Sequence, residues 1–391
     1  MPKASRRFVK SVRRGLQDIE RKPTYDARAM TRIFASTPLY VQGPGALAEV
    51  GMIAARIGKS PVIVIDAQVR SLVGEELERG FAHPVTIIPF AGELTDDAAA
   101  ALAARSAGCD LVVAVGGGKA VDAGKATALR LAAPVITVPT IASTDGPASR
   151  GVAMYDAAHR LVRVDQMANN PAAVVVDSRV IVQAPARFLR AGIGDAIAKT
   201  FEAEACWASR GLTKHGTRPT HAGRAIAYAG YRLLREHAKA AIADAERHEI
   251  TEALEATIEA CVLLSALGFE NGGLSIAHSI TRGLMTLRGA KDRLHGEHVA
   301  YGALVHLAAE ERCDAELEDL AAFLAAVGLP DSLAALGVER PTQADIAGIA
   351  AATMTSPHVS ALPRRIDAGG VAAAVCRVEA LADRRLAATH T

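Results

Sequence analysis

Strand-like and helix-like segments alternate through the first half of the chain. Apolar, β-branched runs occur at residues 61–67, 84–92, 111–115 and 134–140, and the segments that follow the first three have helical patterns. Strands that alternate with helices form βαβ units, so this pattern predicts a mostly parallel sheet covered on both faces. Ligands of such sheets bind beyond the carboxyl ends of the strands.

The pattern changes after the fourth run. Residues 151–183 contain short β-like pieces separated by turn residues, which predict a hairpin and a last strand. Beyond them the pattern is helical to the end of the chain. A chain of 391 residues exceeds the roughly 250–300 residues at which single cores stop growing, which favours two domains with a cleft between them. The expected divisions are a basic extension at 1–30, an α/β domain at 31–185 and an all-α domain at 186–391.

Composition excludes several classes of protein. Half of the residues are hydrophobic and 22% are charged, which indicates a well-buried globular protein. No apolar run approaches the ~20 residues of a membrane helix, so we expect no membrane partner. The five cysteines are odd in number, lie far apart and form no C-x-x-C pair, which favours reduced thiols and a cytoplasmic location.

Charge is distributed unevenly along the chain. Residues 1–23 contain eight Lys and Arg against Asp18 and Glu20, a net charge of +6, which leaves about −4 for the rest of a chain whose total is +2. We therefore expect no nucleic-acid-binding surface on the body of the protein. The leading segment is similar to a twin-arginine export signal, but no apolar stretch or cleavage site follows, and we expect a solvated extension.

Three consecutive glycines separate a strand-like run from a helix-like run in LVVAVGGGKAVDAGKATALRL, residues 111–131. The N–H groups at the start of a helix attract phosphate. Neither G-x-G-x-x-G nor G-x-x-x-x-G-K-[ST] is present, so a tight turn without a ligand remains open on this evidence. Asp66 ends an earlier strand-like run, where a carboxylate could accept hydrogen bonds from ribose hydroxyls.

Polar clusters and isolated metal-ligand types also occur. Thr140, Ser143 and Asp145 follow a buried run, where they are either functional or ordinary turn and cap formers. Asp195 follows two glycines in a helical segment and could simply satisfy the helix dipole. One Asp and two His suit a catalytic zinc site, although H-E-x-x-H is absent and the spacing does not show that they meet. The candidate histidines are His278, which is equally compatible with a core position, and the pair His295 and His298.

Five motifs in a fixed order resemble the glycerol dehydrogenases of the metal-dependent (iron-containing) alcohol dehydrogenase superfamily. The similarity runs from about Val41 to Leu307. It implies an N-terminal α/β dinucleotide-binding domain and an all-α C-terminal domain, the fold shared with dehydroquinate synthase. The motifs are VGGGKAVDAGKA, VPTIASTDGPAS, GIGDAIAKTFEAEAC, LLSALGFENGGLSIAHSI and HGEHVAYG.

The resemblance also implies a role for individual residues. Asp66 would hold the adenosine ribose and favour NAD over NADP. Asp145 would bind a substrate hydroxyl. The residues implied at the NAD pyrophosphate are Gly117, Gly118 and Lys119, and those implied along the adenine or nicotinamide are Thr140, Ser143, Ser149 and Tyr155. The implied metal ligands are Asp195, His278 and His295, with zinc the usual metal and iron used by relatives.

The activity implied by the resemblance is the NAD-dependent oxidation of a polyol, foremost glycerol to dihydroxyacetone. In such an enzyme the metal lowers the pKa of the alcohol, and the metal-bound alkoxide transfers hydride to the nicotinamide. The family forms homo-oligomers, often octamers. A lyase similar to dehydroquinate synthase is the disfavoured alternative, since it needs more basic groups around its substrate.

Two arginines depart from the family pattern. Arg150 lies where small or apolar residues are usual in the family. Arg282 lies four residues after His278, in a stretch where the family commonly has another histidine and an asparagine. Gly146 replaces the family's alanine. Because arginine binds phosphate and carboxylate in bidentate fashion, the substrate could be an anionic alcohol such as glycerol 1-phosphate. The alternative is that both arginines point to solvent or pair with nearby acids.

Overall fold

The computed structural model describes residues 31–158 and 160–389. The basic extension predicted at 1–30 lies outside them. The strands in the described part are β1 (Tyr40–Gly43), β2 (Pro61–Asp66), β3 (Thr86–Phe90), β4 (Leu111–Gly116), β5 (Val135–Pro139), β6 (Gly151–Tyr155), β7 (Leu161–Gln166) and β8 (Ala173–Asp177). Each strand-like run of the sequence therefore forms a strand.

Helices alternate with the strands in the first part of the chain, and the second part is mainly helical. Those of the first part are α1 (Val50–Ile57), α2 (Arg70–Arg79), α3 (Asp96–Arg105), α4 (Gly118–Leu131) and α5 (Ser178–Ile181). Those of the second part are α6 (Ala186–Ile197), α7 (Lys199–Ala208), α8 (His221–Glu246), α9 (Glu252–Glu259), α10 (Ser265–Gly272), α11 (Ile276–Ser279), α12 (Thr281–Leu284), α13 (His295–Ala309), α14 (Asp314–Ala326), α15 (Gln343–Thr353) and α16 (Ala368–Thr389). A π-helical turn (Ala260–Leu264) joins α9 to α10, and 3₁₀ turns occupy Ala46–Glu49 and Pro357–Ala361.

Six strands form one parallel sheet in the order β1-β8-β5-β4-β2-β3, and β6 pairs with β7 in an antiparallel hairpin. The chain passes from β2 to β3 at one edge and then places β4 on the opposite side of β2. The topological switch point therefore lies between β2 and β4, which end at Asp66 and Gly116. Open α/β sheets bind ligands at such points.

Side chains of β2 alternate between two apolar layers. Val62 and Val64 pack with residues of α3 and α4, whereas Ile63 and Ile65 pack with residues of α1 and α2. Helices therefore cover both faces of the sheet, which explains why its strands read as continuous apolar runs rather than alternating ones. The Thr95 hydroxyl accepts a hydrogen bond from the Ala98 N–H and caps α3, as its position before two aspartates predicts.

Strand β1 was not predicted from the sequence. Its four residues are half-buried, and Tyr40 pairs with Val174 of the central strand β8. A strand this short lacks the apolar alternation that identifies strands, because its place at the sheet edge comes from pairing with a distant segment.

The second part of the chain has one large apolar core, formed mainly by α6, α8, α13, α14 and α16. Within the described ranges, no single helix is both long enough and apolar enough to cross a membrane. The segments Glu252–Gly272 and Ile276–Leu284 meet those criteria together, but only as a pair bent by 105°. Many of their side chains belong to the buried core, which accounts for their apolar composition.

Candidate functional site

The three glycines at the junction of β4 and α4 differ in their structural environments. Gly116 has a φ of +141°, and a Cβ there would lie 2.7 Å from the Cβ atoms of Ala120 and Asp66. At Gly117 a Cβ would lie 3.0 Å from the Ile141 side chain. At Gly118 the nearest atom to a Cβ would be Thr144 Oγ1, at 3.9 Å. No side chain in the described part of the chain requires glycine at 118, which starts α4, a position where backbone N–H groups can bind phosphate.

Two predicted cofactor residues flank this turn. Asp66 lies at the end of β2 beside Gly116, and its Oδ1 accepts a hydrogen bond from the Gln68 N–H at 2.9 Å. The Lys119 ammonium lies 2.5 Å from Glu93 Oε1. The structure thus brings the predicted ribose carboxylate and the predicted pyrophosphate turn together at the switch point. The order of the strands along the sequence does not reveal this proximity.

The segment after β5 packs against the same turn. Thr140 donates its N–H to the Gly116 carbonyl at 3.0 Å. Ser143 is buried, and so is Ser149, whose hydroxyl donates to the Gly146 carbonyl at 3.3 Å. Tyr155 ends β6, where burial and the neighbouring carboxylates of Asp122 and Glu93 raise its pKa to about 12. Of these predicted residues, Thr140 contacts the glycine turn directly. Tyr155 stays protonated at neutral pH.

Asp195, His278 and His295 converge in the helical half. One ligand atom from each lies within 4.8 Å of the others. His278 Nε2 is 3.1 Å, and His295 Nε2 3.9 Å, from the same oxygen of Asp195, Oδ1. The sequence could not show that these residues meet, because they lie on α6, α11 and α13.

Glycines beside two of these ligands bring their helices into backbone contact. A Cβ on Gly296 would lie 1.7 Å from the Ala191 carbonyl oxygen, and one on Gly194 would lie 2.3 Å from the Gly296 oxygen. Because any side chain at either position would force α6 and α13 apart, these two glycines set the distance between Asp195 and His295.

Glu202 is a buried residue of this site that the sequence did not identify. It accepts hydrogen bonds from the backbone N–H groups of Ser275 and His278, at 2.8 and 3.0 Å. Its Oε2 lies 2.5 Å from Nδ1 of His278, which orients the other ring nitrogen toward Asp195. Asp195, Lys199 and Glu202 follow the spacing i, i+4, i+7, a signal of one shared helix face that could have identified them.

We expect Glu202→Gln to weaken metal binding by about 10- to 100-fold while the protein stays folded. The amide keeps the size of the side chain but cannot act as an anionic acceptor for the N–H of His278. Zinc titration against a chromogenic chelator would measure the change. Glu204→Gln is the matched control, since Glu204 is exposed and pairs with Arg224 on the same part of the fold. Equal affinities in both variants would contradict this role.

Two buried carboxylates and one ammonium link the halves of the molecule. Lys199 Nζ lies 3.0 Å from Asp145 Oδ2 and 2.8 Å from Asp195 Oδ1, and the Ser265 hydroxyl donates to Asp145 at 2.7 Å. Burial and the charge of Asp195 raise the pKa of Asp145. Burial alone would lower the pKa of Lys199, but the carboxylates of Asp145 and Asp195 raise it above its ordinary value. This group therefore combines one cation with two anions.

The histidines of this region differ in pKa and in the groups that their ring nitrogens contact. Desolvation of its ring, together with the neighbouring His278 and Lys199, lowers the pKa of His295 below its ordinary value, although 46% of the side chain is exposed. Its imidazole is therefore neutral, as a metal ligand must be. Burial opposes protonation of His278, but Glu202 raises its pKa above the ordinary value. His298 is not part of the site, because its Nε2 lies 2.8 Å from the Ala290 carbonyl in the core.

The two unusual arginines contact carbonyl oxygens of neighbouring segments. Arg150 Nη2 donates to the Lys214 carbonyl at 3.3 Å, and its backbone N–H donates to the buried Glu270. Arg282 Nη1 donates to the Thr355 carbonyl at 2.8 Å. Both guanidinium groups therefore donate hydrogen bonds to backbone carbonyls of neighbouring segments.

The residues present fit a catalytic divalent metal. One carboxylate and two imidazoles converge, Glu202 supplies the carboxylate that supports a metal-bound histidine, and His295 is partly open to solvent. Three protein ligands with one open side are typical of catalytic zinc rather than structural zinc.

Comparisons with known proteins agree with this geometry. Residues 41–185 match the model of the iron-containing alcohol dehydrogenase family. The chain is 37% identical to the glycolaldehyde reductase of Halobacterium salinarum, over 83% of this chain and 90% of that protein. It is 38% identical to a glycerol dehydrogenase of Escherichia coli, over 83% of this chain and 89% of that one.

A solved structure extends the similarity to the whole described fold. The glycerol dehydrogenase of Schizosaccharomyces pombe matches with a TM-score of 0.88 at 32% identity, over 92% of this chain and 93% of that chain. This agreement confirms the predicted architecture of an α/β domain followed by a helical domain. The chain belongs to the glycerol dehydrogenase family of the iron-containing alcohol dehydrogenases.

Proposed function

We propose that the protein is an NAD- and metal-dependent dehydrogenase of polyols, with glycerol to dihydroxyacetone as its foremost reaction. One observation carries the proposal: a single segment joins the two candidate sites. Thr144 lies beside the open space at Gly118, and the next residue, Asp145, shares Lys199 with the metal-ligand candidate Asp195. A substrate held at Asp145 would thus have the nucleotide turn on one side and the metal ligands on the other.

Different groups of residues bind the metal, the nucleotide and the substrate. Asp195, His278 and His295 would hold the metal, and Glu202 keeps His278 in the ligating orientation. The pyrophosphate binds to Gly117, Gly118 and Lys119, and the Asp66 carboxylate accepts hydrogen bonds from the ribose hydroxyls. When bound, the metal supplies Lewis-acid polarisation of the alcohol and NAD accepts the hydride. Asp145 binds a second hydroxyl of the polyol and so aligns the reacting carbon.

The resident metal, the assembly and the compartment are further parts of the proposal. Zinc is proposed as the resident metal on the resemblance to the glycerol dehydrogenases, since one carboxylate and two imidazoles around an open position suit both zinc and Fe(II). A homo-oligomer is supported by the exposed apolar residues of β7. These are Leu161, Val162 and Val164. The family resemblance extends the proposal to an assembly as large as an octamer, and the unpaired, widely spaced cysteines extend it to a cytoplasmic location.

The proposal is tested by following NADH formation with glycerol before and after chelator treatment and zinc return. We expect activity that disappears with the chelator and recovers with zinc, because the substrate hydroxyl is not sufficiently acidic without a metal. Iron returned in a parallel sample distinguishes the two metals. A zinc-loaded, NAD-binding protein that forms no NADH from any neutral polyol would contradict the proposal.

A second candidate is the oxidation of an anionic alcohol, which Arg150 and Arg282 would favour because arginine binds phosphate and carboxylate groups. The same assay with glycerol 1-phosphate and with a 2-hydroxy acid separates the candidates. Faster turnover of either than of glycerol would favour the anionic substrate. Equal or faster turnover of glycerol would exclude it.

A further inference from the structure

An ammonium group lies among the candidate metal ligands. Lys199 Nζ is 2.8 Å from Asp195 Oδ1 and 2.8 Å from Nε2 of His278. Its side chain is only 3% exposed. Lys199 follows Asp195 by four residues across the junction of α6 and α7, where Ala198 keeps helical backbone angles, so the two side chains lie on the same face.

A metal and this ammonium compete for the same atoms. Zinc binds a carboxylate oxygen at about 2.0–2.2 Å and an imidazole nitrogen at about 2.0–2.1 Å. Asp195 Oδ1 and His278 Nε2, which the metal needs, are the atoms that Lys199 now contacts. Two cations at one carboxylate oxygen repel each other, so metal binding requires the ammonium to move away.

The lysine also has a second anionic partner. Its Nζ is 3.0 Å from Asp145 Oδ2, on the side of the α/β domain, and 5.1 Å from the centre of the Phe269 ring. It can therefore release Asp195 and His278 while it keeps a buried carboxylate and the ring face. Such a movement costs fewer charge-assisted hydrogen bonds than transfer of the ammonium to solvent.

We propose that Lys199 is an internal competitor of the metal: its ammonium contacts Asp195 and His278 when no metal is bound, and it leaves both atoms but keeps its contact with Asp145 when a divalent metal binds. The inference extends the proposed function, since it assigns these ligands to a metal. Lys199 is thus a determinant of metal affinity. It weakens metal binding and stabilises the metal-free protein by neutralising Asp195, which would otherwise be a buried unpaired charge.

The test compares the zinc affinity of the full-length wild-type protein, Lys199→Met and Lys214→Met, using competition with a chromogenic chelator. Methionine keeps the length of the side chain and removes its charge. Lys214 is the matched control, because it lies within electrostatic range of Lys199 and Asp145 but outside the ligand cluster. We expect Lys199→Met to bind zinc at least about tenfold more tightly, as charge-assisted hydrogen bonds no longer have to be broken. Lys214→Met should change the affinity less than about threefold, since it removes only a distant charge.

An affinity of Lys199→Met equal to that of the wild type would overturn the proposal. An equal gain in both variants would also overturn it, because a general change of charge would then explain the effect. The readout is independent of turnover, so loss of the proposed polyol oxidation would leave it interpretable.

Lys199→Met leaves two buried carboxylates without their cation and could fail to fold without metal. The wild-type protein therefore provides a second measurement, crystal structures with and without zinc. We expect Lys199 Nζ to lie beyond hydrogen-bonding distance of Asp195 in the zinc form and within it in the zinc-free form. A contact retained beside bound zinc would overturn the proposal.

Discussion

Asp195→Asn is expected to abolish metal retention and to lower kcat/KM for the polyol by at least about 10³-fold, since Lewis-acid stabilisation is worth several kcal/mol. The carboxamide has the same shape but lacks the charge that draws a divalent cation to two neutral imidazoles. Metal content after dialysis, together with NADH formation at saturating zinc, would measure both effects.

Glu204→Gln is the control for this substitution, because Glu204 is exposed and its carboxylate pairs with Arg224. It should retain metal and turnover close to those of the wild type. NAD binding by Asp195→Asn should also be unchanged, since the glycine turn lies on the other domain. A variant that lost its metal but oxidised glycerol at the wild-type rate would show that the triad is not the reacting centre.

Gly118→Val is expected to weaken NAD binding by roughly 10²-fold while leaving the zinc affinity unchanged. In the described structure a Cβ at this position lies 3.9 Å from Thr144 Oγ1, its nearest neighbour outside the helix backbone, so the protein has room for a Cβ there. The pyrophosphate does not tolerate the side chain, because it must approach the backbone of the first helical turn, and a misplacement of ~1 Å can cost this much. Titration of NAD followed by intrinsic fluorescence would give the dissociation constant.

Gly348→Val is the matched control, since a Cβ at that exposed helical position also meets nothing within 4 Å. It reproduces the cost of a β-branched residue in a helix without touching the nucleotide. Its thermal stability sets the reference for Gly118→Val. Unchanged NAD affinity in Gly118→Val would mean that the pyrophosphate lies elsewhere, and the assignment of Gly117 and Lys119 would fail with it.

The parallel sheet could be predicted because its strands are buried on both faces. Continuous β-branched runs such as residues 111–115 have few alternatives to a central strand. Strand β1 could not be predicted, since four half-buried residues owe their conformation to pairing with β8. Sequence patterns report local burial, and an edge strand that depends on a distant partner carries little of that signal.

The residue types of the site could be predicted from the sequence, but the contacts between their side chains could not. Asp195, His278 and His295 were predicted from motif resemblance, and the structure brings them together. Glu202 and Lys199 were missed, because a carboxylate and a lysine on a helix are ordinarily solvated. Their spacing from Asp195 places them on one helix face, but only the tertiary contacts of Glu202 with His278 and of Lys199 with Asp145 show that this face is buried.

All three candidate metal ligands belong to the helical half, whereas Asp145 and the glycine turn belong to the α/β half. Separation of the two halves would thus leave the metal with its full protein ligand set and remove only the groups that align substrate and nucleotide. Cofactor exchange and metal exchange are then independent events. If NADH leaves through movement between the halves, the metal keeps all of its protein ligands while it does so.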